Sequence, residues 1–189
     1  MHPKTQSAFL ECMEEKSVSV AGSTFALPEF HFVIATKNPL EYVGTFLLPE
    51  AQKDRFAAVV KIGYPSDEVQ SEIIRSGSSG RMESVLASLA PSFGPEVLRT
   101  CMEEAAAVRI DDVVIKKLIA FANATRADDR LRFGVSPRGL NLFASALRSK
   151  AYLSGRDYVI PEDGISLVGP FLAHRVSAKD AAFPVTELA

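Results

Sequence analysis

No apolar run in this 189-residue chain approaches the ~18–20 residues a transmembrane helix needs, so no membrane partner is expected. An excess of charge of one sign is also missing. The 21 Lys and Arg against 23 Asp and Glu leave a formal −2, which gives no broad electrostatic footprint for nucleic acid. Cysteine is scarce: Cys12 and Cys101 stand far apart, with no C-x-x-C and no histidine nearby. They read as two reduced thiols of a cytoplasmic protein. His2, His31 and His174 are too scattered to form a metal cluster, so no metal ligation by side chains is expected. The opening "MHPKTQSAFLECMEE" lacks the basic region, apolar core and small-residue cleavage site of a signal peptide. What remains is a chain long enough for one sizeable core or two small domains.

Its pattern is mixed at first and helical later. Residues 3–15 are predicted to be a helix, with Pro3 in the first turn and Ala8, Phe9, Cys12 and Met13 inward. "SVSVAGSTFALPE" holds two short alternating runs around Ala21-Gly22-Ser23, a β-hairpin pattern. "FHFVIAT" is a continuous β-branched run, as expected of a strand covered on both faces, and "AAVVKIGYP" is a second strand candidate. Between them lie a loop with Asn38, Pro39, Gly44 and Pro49 and a short helix, "PEAQKDRF". "SDEVQSEIIRSG" has Ser66 as N-cap and Gly77 as stop. After the joint "SGSSGR" the pattern is helical throughout.

"GPEVLRTCMEEAAA" opens a helix on Pro95, and Val114, Leu118, Phe121 and Ala122 fall on one stripe of the next. "SPRGLNLFASALRSKAYLSG" is capped by Ser136, packs Leu140, Phe143 and Leu147 inward, and stops at Gly155. "PEDGISLVGPFLAHRV" is expected to bury Ile165, Val168 and Leu172 and to kink at Gly169-Pro170. Its start looks weak, because Ile160 cannot cap and Gly164 costs up to ~1 kcal/mol against a good helix former. The expected fold class is α/β plus all-α: an incomplete parallel sheet over 1–76, a linker at 77–94, and a helical domain at 95–189.

Three polar residues stand out. Doubly wound sheets bind ligands beyond the carboxyl ends of their strands, and Asn38 follows the "FHFVIAT" run at such an end. Its amide can accept from a water while donating to a phosphate oxygen, although an Asn before Pro39 also fits a simple turn. Arg55, between Asp54 and Phe56, fits either a surface ion pair or a guanidinium offered to a transferred phosphate. The latter is worth roughly 10³–10⁵ in rate for arginine fingers in general. Arg138 lies at a helix start, where anions are favoured over cations, so a ligand role suits it better than a stabilising one. Arg126, Arg130 and Arg132 lie near Asp128 and Asp129 and read as a self-paired, solvated loop.

Five blocks, "PKTQSAFLECMEE", "LPEFHFVIATKNPLEYVGTFLLPEAQKDRF", "IGYPS", "FGVSPRGLNLFASALRSKAYLSGRDYVIPED" and "LAHRV", together resemble the MoxR family of AAA+ ATPases over nearly the whole chain. By that resemblance Asn38 looks like the sensor 1 asparagine, Arg55 in "DRF" like the arginine finger, and Arg138 in "SPRG" like the sensor 2 arginine. Sensor 2 serves its own or the neighbouring site in different related rings. Residues 1–76 would be the C-terminal part of the AAA+ αβα core and 95–189 the helical lid. The hairpin within 17–27 looks like the family's hairpin before the sensor 1 strand, which faces the pore or substrate side in related rings. The resemblance implies ATP and Mg²⁺ as cofactors of the complete protein, and a homo-oligomeric ring expected as a hexamer. It also implies a partner carrying a von Willebrand factor A domain. The implied activity is ATP hydrolysis coupled to chaperone-like remodelling or activation of a client protein or metalloenzyme complex.

One departure is large. A Walker A loop reads G-x-x-x-x-G-K-[ST], because its N–H groups cradle phosphates and its Lys reaches them. Gly164 and Gly169 have the spacing, but Pro170 and Phe171 follow. The sole Asp-Glu pair, Asp67-Glu68, opens a polar helix and so cannot end a Walker B strand. In the family both motifs precede the "PKTQ" helix. The chain is therefore expected to carry the γ-phosphate-sensing half of an ATPase site without the phosphate-holding half, and to be inactive alone. Two alternatives stay open. One is a non-catalytic truncated paralogue that docks into a AAA+ ring. The other is a related ring motor, such as an MCM-like helicase or a magnesium chelatase subunit. The absence of Lys and Arg from Ser17 to Leu27 counts against the helicase.

Overall fold

The structure, a computed structural model, describes residues 9, 12–20, 22–37, 48–76, 81–90 and 93–179, with backbone alone at 81–84. Asn38, Ala8 and the loop around Pro39 and Gly44 lie outside the described residues. Residues 12–15 are helical, with Cys12 buried and Phe9 exposed rather than inward. Both cysteines are free thiols. The expected hairpin forms from β1 (Ser17–Val20) and β2 (Ser23–Ala26), pairing Val18 with Phe25 and Val20 with Ser23. Gly22 takes φ +82°, the left-handed region that the tight turn requires.

The expected parallel sheet is not found among the described residues. Residues 31–37 and 58–66 have no regular structure. Among the described residues the sheets are two antiparallel pairs: β1–β2, and β3 (Leu131–Phe133) with β4 (Ser177–Ala178). The fold is mostly helical, which corrects the reading of a truncated parallel αβα core. The reason is physical. An apolar, β-branched run shows that a segment could be buried as a strand, but its N–H and C=O groups still need a neighbouring strand. Among the described residues none pairs with either run, and Phe32, Ile34 and Ile62 are 85%, 86% and 95% exposed.

The helices follow their sequence signals more closely. They are α1 (Glu50–Lys53), α2 (Asp67–Ser76), α3 (Arg81–Ser88), α4 (Pro95–Ala107), α5 (Asp112–Ala127), α6 (Pro137–Leu153) and α7 (Pro161–Leu172). A 3₁₀ turn, Ala173–Arg175, follows α7. The third helix lies inside the stretch expected as linker. Asp111 caps α5 by accepting from the Val113 N–H (2.8 Å). The core joins α5, α6 and α7 through Ala122, Phe143, Leu147, Ala151 and Leu172, with Val108, Val135 and Val159 from the connections. Val114, Leu118, Phe121, Leu140 and Val168 pack against it as the stripes predicted, whereas Ile165 is exposed. The expected weakness at the start of α7 is offset locally. The Asp163 carboxylate accepts from the Ile160 N–H (3.0 Å) and pairs with Arg156, so a residue inside the first turn does the capping.

Candidate functional site

The site grows from the turn that ends α1 and from the first turn of α6. At the α6 start each residue of Ser136-Pro137-Arg138-Gly139 has a separate task. Ser136 caps the helix by accepting from the Gly139 N–H (2.9 Å), while its hydroxyl donates to the Asp54 carboxylate (2.8 and 3.0 Å). Pro137 fits the first helical position, where its missing N–H costs nothing. Arg138 reaches outward. Gly139 leaves room for another side chain, since a Cβ there would lie 2.6 Å from Cδ of Arg175.

Arg175 is the hub. Its side chain is 1% exposed, and all five N–H donors of its guanidinium are used. Nε donates to the Phe171 carbonyl (2.8 Å), Nη1 to the carbonyl and carboxylate of Asp54, and Nη2 to the carbonyls of Phe56 (2.6 Å) and Ala57 (3.2 Å). His174 adds a contact from Nε2 to the same Phe56 carbonyl at 3.1 Å, which places the imidazole proton on Nε2. Burial holds the His174 pKa below its ordinary value, with Arg175 beside it acting in the same direction, so the ring is neutral at neutral pH. Pro170 interrupts the N–H ladder of α7, and its carbonyl accepts from the Val59 N–H (2.8 Å). The segment from Asp54 to Val59 is thus hung by its backbone from the end of α7, not held in a sheet.

So held, Arg55 projects toward residues 12–15. Its Nη1 donates to the Ala51 carbonyl (2.9 Å), and its Nη2 to Oε2 of Glu14 (2.9 Å). Arg138 meets the other oxygen of that carboxylate, Oε1, at 2.7 Å. Two guanidinium groups from unrelated segments therefore converge on one anion. Hydrogen bonds from Arg55 and then Arg138 pull the Glu14 pKa down to about 2, and the same carboxylate raises that of Arg55.

Of the residues singled out from sequence, Arg55 and Arg138 are brought together, and Asn38 lies outside the described residues. The plain ion pair between neighbours Asp54 and Arg55 is not what forms: Asp54 pairs with Arg175, and Arg55 with Glu14. Sequence reasoning missed Glu14, Asp54, Ser136 and Arg175 as parts of the site. The signal was present, since "CMEE", "DRF", "SPRG" and "LAHRV" all fall in the matching blocks, but nothing in spacing links residues 121 positions apart. In the arginine-rich loop, Arg130 pairs with Asp128 as expected, whereas Arg126 donates to the Val135 carbonyl. The paired arginines suit phosphate oxygens. For Mg²⁺, no group of three or more His, Cys, Asp or Glu side chains is placed to hold it among the described residues.

Comparison with known proteins agrees with the architecture. Residues 1–58 match the model of an ATPase family associated with various cellular activities (AAA), and residues 123–187 match that of the AAA lid domain. The chain is 41% identical to the YeaC protein of Bacillus subtilis over 175 residues, covering 92% of this chain and 53% of YeaC. It is 38% identical to the chaperone MoxR1 of Mycobacterium tuberculosis, over 92% of this chain and 47% of that protein. To protein MoxR of Paracoccus denitrificans it is 28% identical, over 98% and 59% respectively. A solved structure of a candidate ATPase from Cytophaga hutchinsonii superposes with a TM-score of 0.80 at 28% identity, over 99% of this chain and 60% of that one. The chain spans about half the length of the curated relatives it matches. Sequence and fold together place it among the AAA+ ATPases, as a relative of the MoxR proteins.

Proposed function

We propose that this chain supplies the γ-phosphate-sensing part of a MoxR-type AAA+ ATPase. That protein hydrolyses ATP with Mg²⁺ and couples the energy to chaperone-like remodelling or activation of a client. In this reading residues 1–76 belong to the ATPase core and 95–189 to the lid. Asn38 orients the attacking water as sensor 1, Arg55 is the arginine finger, and Arg138 is sensor 2. The assembly is a cytoplasmic homo-oligomeric ring, a hexamer, working with a von Willebrand factor A domain partner.

One observation carries the reading: Arg55 and Arg138 both reach the carboxylate of Glu14, at 2.9 and 2.7 Å. Two guanidinium groups that share one carboxylate can share one phosphate, so Arg138 serves the same nucleotide as Arg55. If Arg55 reaches into a neighbouring subunit, Arg138 does too. When ATP is bound it supplies the phosphoryl group; this chain's part is to neutralise developing charge with the two arginines and to fix their direction through Ser136, Asp54 and Arg175.

The test is complementation. The chain is mixed with a full-length MoxR-type ATPase whose own arginine finger has been removed, and ATP turnover is followed. Wild-type chain is expected to restore turnover and Arg55→Ala is not, since loss of a finger costs roughly 10³-fold or more. Equal behaviour of the two chains would sink the reading. A second reading, a docking module without catalytic contribution, is favoured by the uncovered Phe32, Ile34, Val60 and Ile62, which suit a partner's cover. Stable co-assembly with the full-length protein that Arg55→Ala leaves unchanged in turnover would support it.

A further inference from the structure

We propose that Glu14 is a built-in competitor for a phosphate-class oxyanion: its carboxylate fills the place between Arg55 and Arg138 that the phosphate takes, and the phosphate enters by displacing it. The proposal rests on the reading of Arg55 and Arg138 as phosphate-directed residues, and it adds a residue to which neither that reading nor the family comparison gives a role.

The geometry is that of a bound oxyanion. Each oxygen of the Glu14 carboxylate is held by a different guanidinium, Oε2 by Arg55 and Oε1 by Arg138. Carboxylate and phosphate offer an arginine fork the same pair of oxygens, which is why arginine serves both. The three side chains are reached from solvent, with the Glu14 side chain 30% exposed, so exchange of one anion for another needs no opening of the core. Two guanidinium groups brought this close repel each other unless an anion lies between them. Glu14 removes that repulsion while no ligand is present and keeps the pair preformed. A phosphate dianion brings more charge to the same place. Arg55 does not lose its direction when Glu14 leaves, because Nη1 stays on the Ala51 carbonyl and the flanking Asp54 and Phe56 stay on Arg175. Glu14 titrates near 2, so acidification within the physiological range leaves it ionised, and only a competing anion empties the site.

The experiment is a titration of the whole chain with inorganic phosphate, followed by nuclear magnetic resonance of the arginine side chains and the Glu14 carboxyl carbon. Chloride at matched ionic strength is the control. In the wild type the guanidinium signals of Arg55 and Arg138 and the carboxyl signal of Glu14 are expected to move together, with one apparent affinity. Glu14→Gln, which keeps the shape and removes the charge, is expected to tighten phosphate by about tenfold or more, the scale of a hydrogen bond to a charged group. Adding Arg138→Ala to that variant is expected to abolish the gain. Adenosine diphosphate moving the same signals would make a nucleotide's terminal phosphate the occupant, and free phosphate alone would make it the inorganic anion; either supports the proposal. Arginine signals that shift while Glu14 does not, no shift in any of the three, or unchanged affinity in a folded Glu14→Gln chain would each overturn it. The wild-type titration decides the matter even if the variant does not fold. No hydrolysis is read, so a chain that shows this exchange yet fails complementation disproves the ATPase reading alone.

Discussion

At the scale of the residue, the decisive group is Arg175, a charge removed from solvent and kept there by full use of its donors. Arg175→Met would leave the Asp54 carboxylate with the Ser136 hydroxyl alone and no countercharge, the Phe56 carbonyl with His174 alone, and the Ala57 carbonyl without its guanidinium donor. Breaking one side of a buried pair typically costs about 3–5 kcal/mol. We expect a loss of that order in denaturant unfolding, and a smaller one when Asp54→Asn accompanies it, because the stranded charge is then gone. Gly139→Ala sets two effects against each other. Alanine gains up to ~1 kcal/mol of helix propensity, but its Cβ would meet Cδ of an Arg175 whose guanidinium is pinned at every N–H. Overpacking costs about 1–3 kcal/mol, so net destabilisation is expected, and a raised melting temperature would show that Arg175 can give way. His174 sets a pH dependence. Its folded pKa lies below the unfolded value of 6.5, so as pH falls through that value the unfolded chain takes up a proton the folded one refuses. Stability should therefore drop as pH falls from about 6.5 to the lower folded value. His174→Gln, which keeps a donor for the Phe56 carbonyl, should flatten the drop in a series of unfolding curves.

At the scale of the element, α7 shows how a helix with poor sequence credentials is held. Its Ile160 N–H is capped from Asp163, which is also bonded to Arg156, and that pairing holds the Asp163 carboxyl below the usual carboxylate range. Gly164 is the remaining weak point. A Cβ there would sit 3.9 Å from both Leu147 and Phe143, an ordinary contact. Gly164→Ala is expected to raise stability by about 0.5–1 kcal/mol, read as a shift of the denaturation midpoint at unchanged slope. A loss would mean that this face of α7 lies closer to α6 than the structure places it. Most helices were legible because their signals are local: Ser136 and Gly155 do at their own positions what their types promise, and the stripes of α5 and α6 face the core. The hairpin of β1 and β2, also local, was legible, but the two runs read as sheet strands were not, because "FHFVIAT" and "AAVVKIGYP" state only one side of a pairing whose other side is another segment. The site was half legible for the same reason. Arg55 and Arg138 were found from motif words, whereas Glu14 and Arg175 act through contacts that spacing does not encode.

At the scale of the whole molecule, apolar burial and polar fastening are separated. The apolar core belongs to the region from Val108 to Leu172. The earlier residues are tied to the helical part from Pro95 to Arg175 by polar contacts: Glu14 to Arg138, Glu29 to Arg99, Asp54 to Ser136 and Arg175, Phe56 to His174, and Val59 to Pro170. Contacts of this kind position a segment without covering its apolar side chains, which is why Phe32, Ile34 and Ile62 remain in water. Local stability should divide along the same line, since amides protected only by local opening exchange far faster than those that need the core to unfold. In hydrogen exchange, α5, α6 and α7 are expected to open only with global unfolding, and residues 31–37 and 58–66 to exchange near the rate of an unstructured chain. Val59 is the expected exception, because its N–H is bonded to the Pro170 carbonyl. Its protection should fall when Pro170→Ala restores an ordinary ladder to α7 and changes the path of that carbonyl. Slow exchange throughout 31–37 and 58–66 would mean that both runs have found strand neighbours, and the polar ties would then be secondary to a sheet.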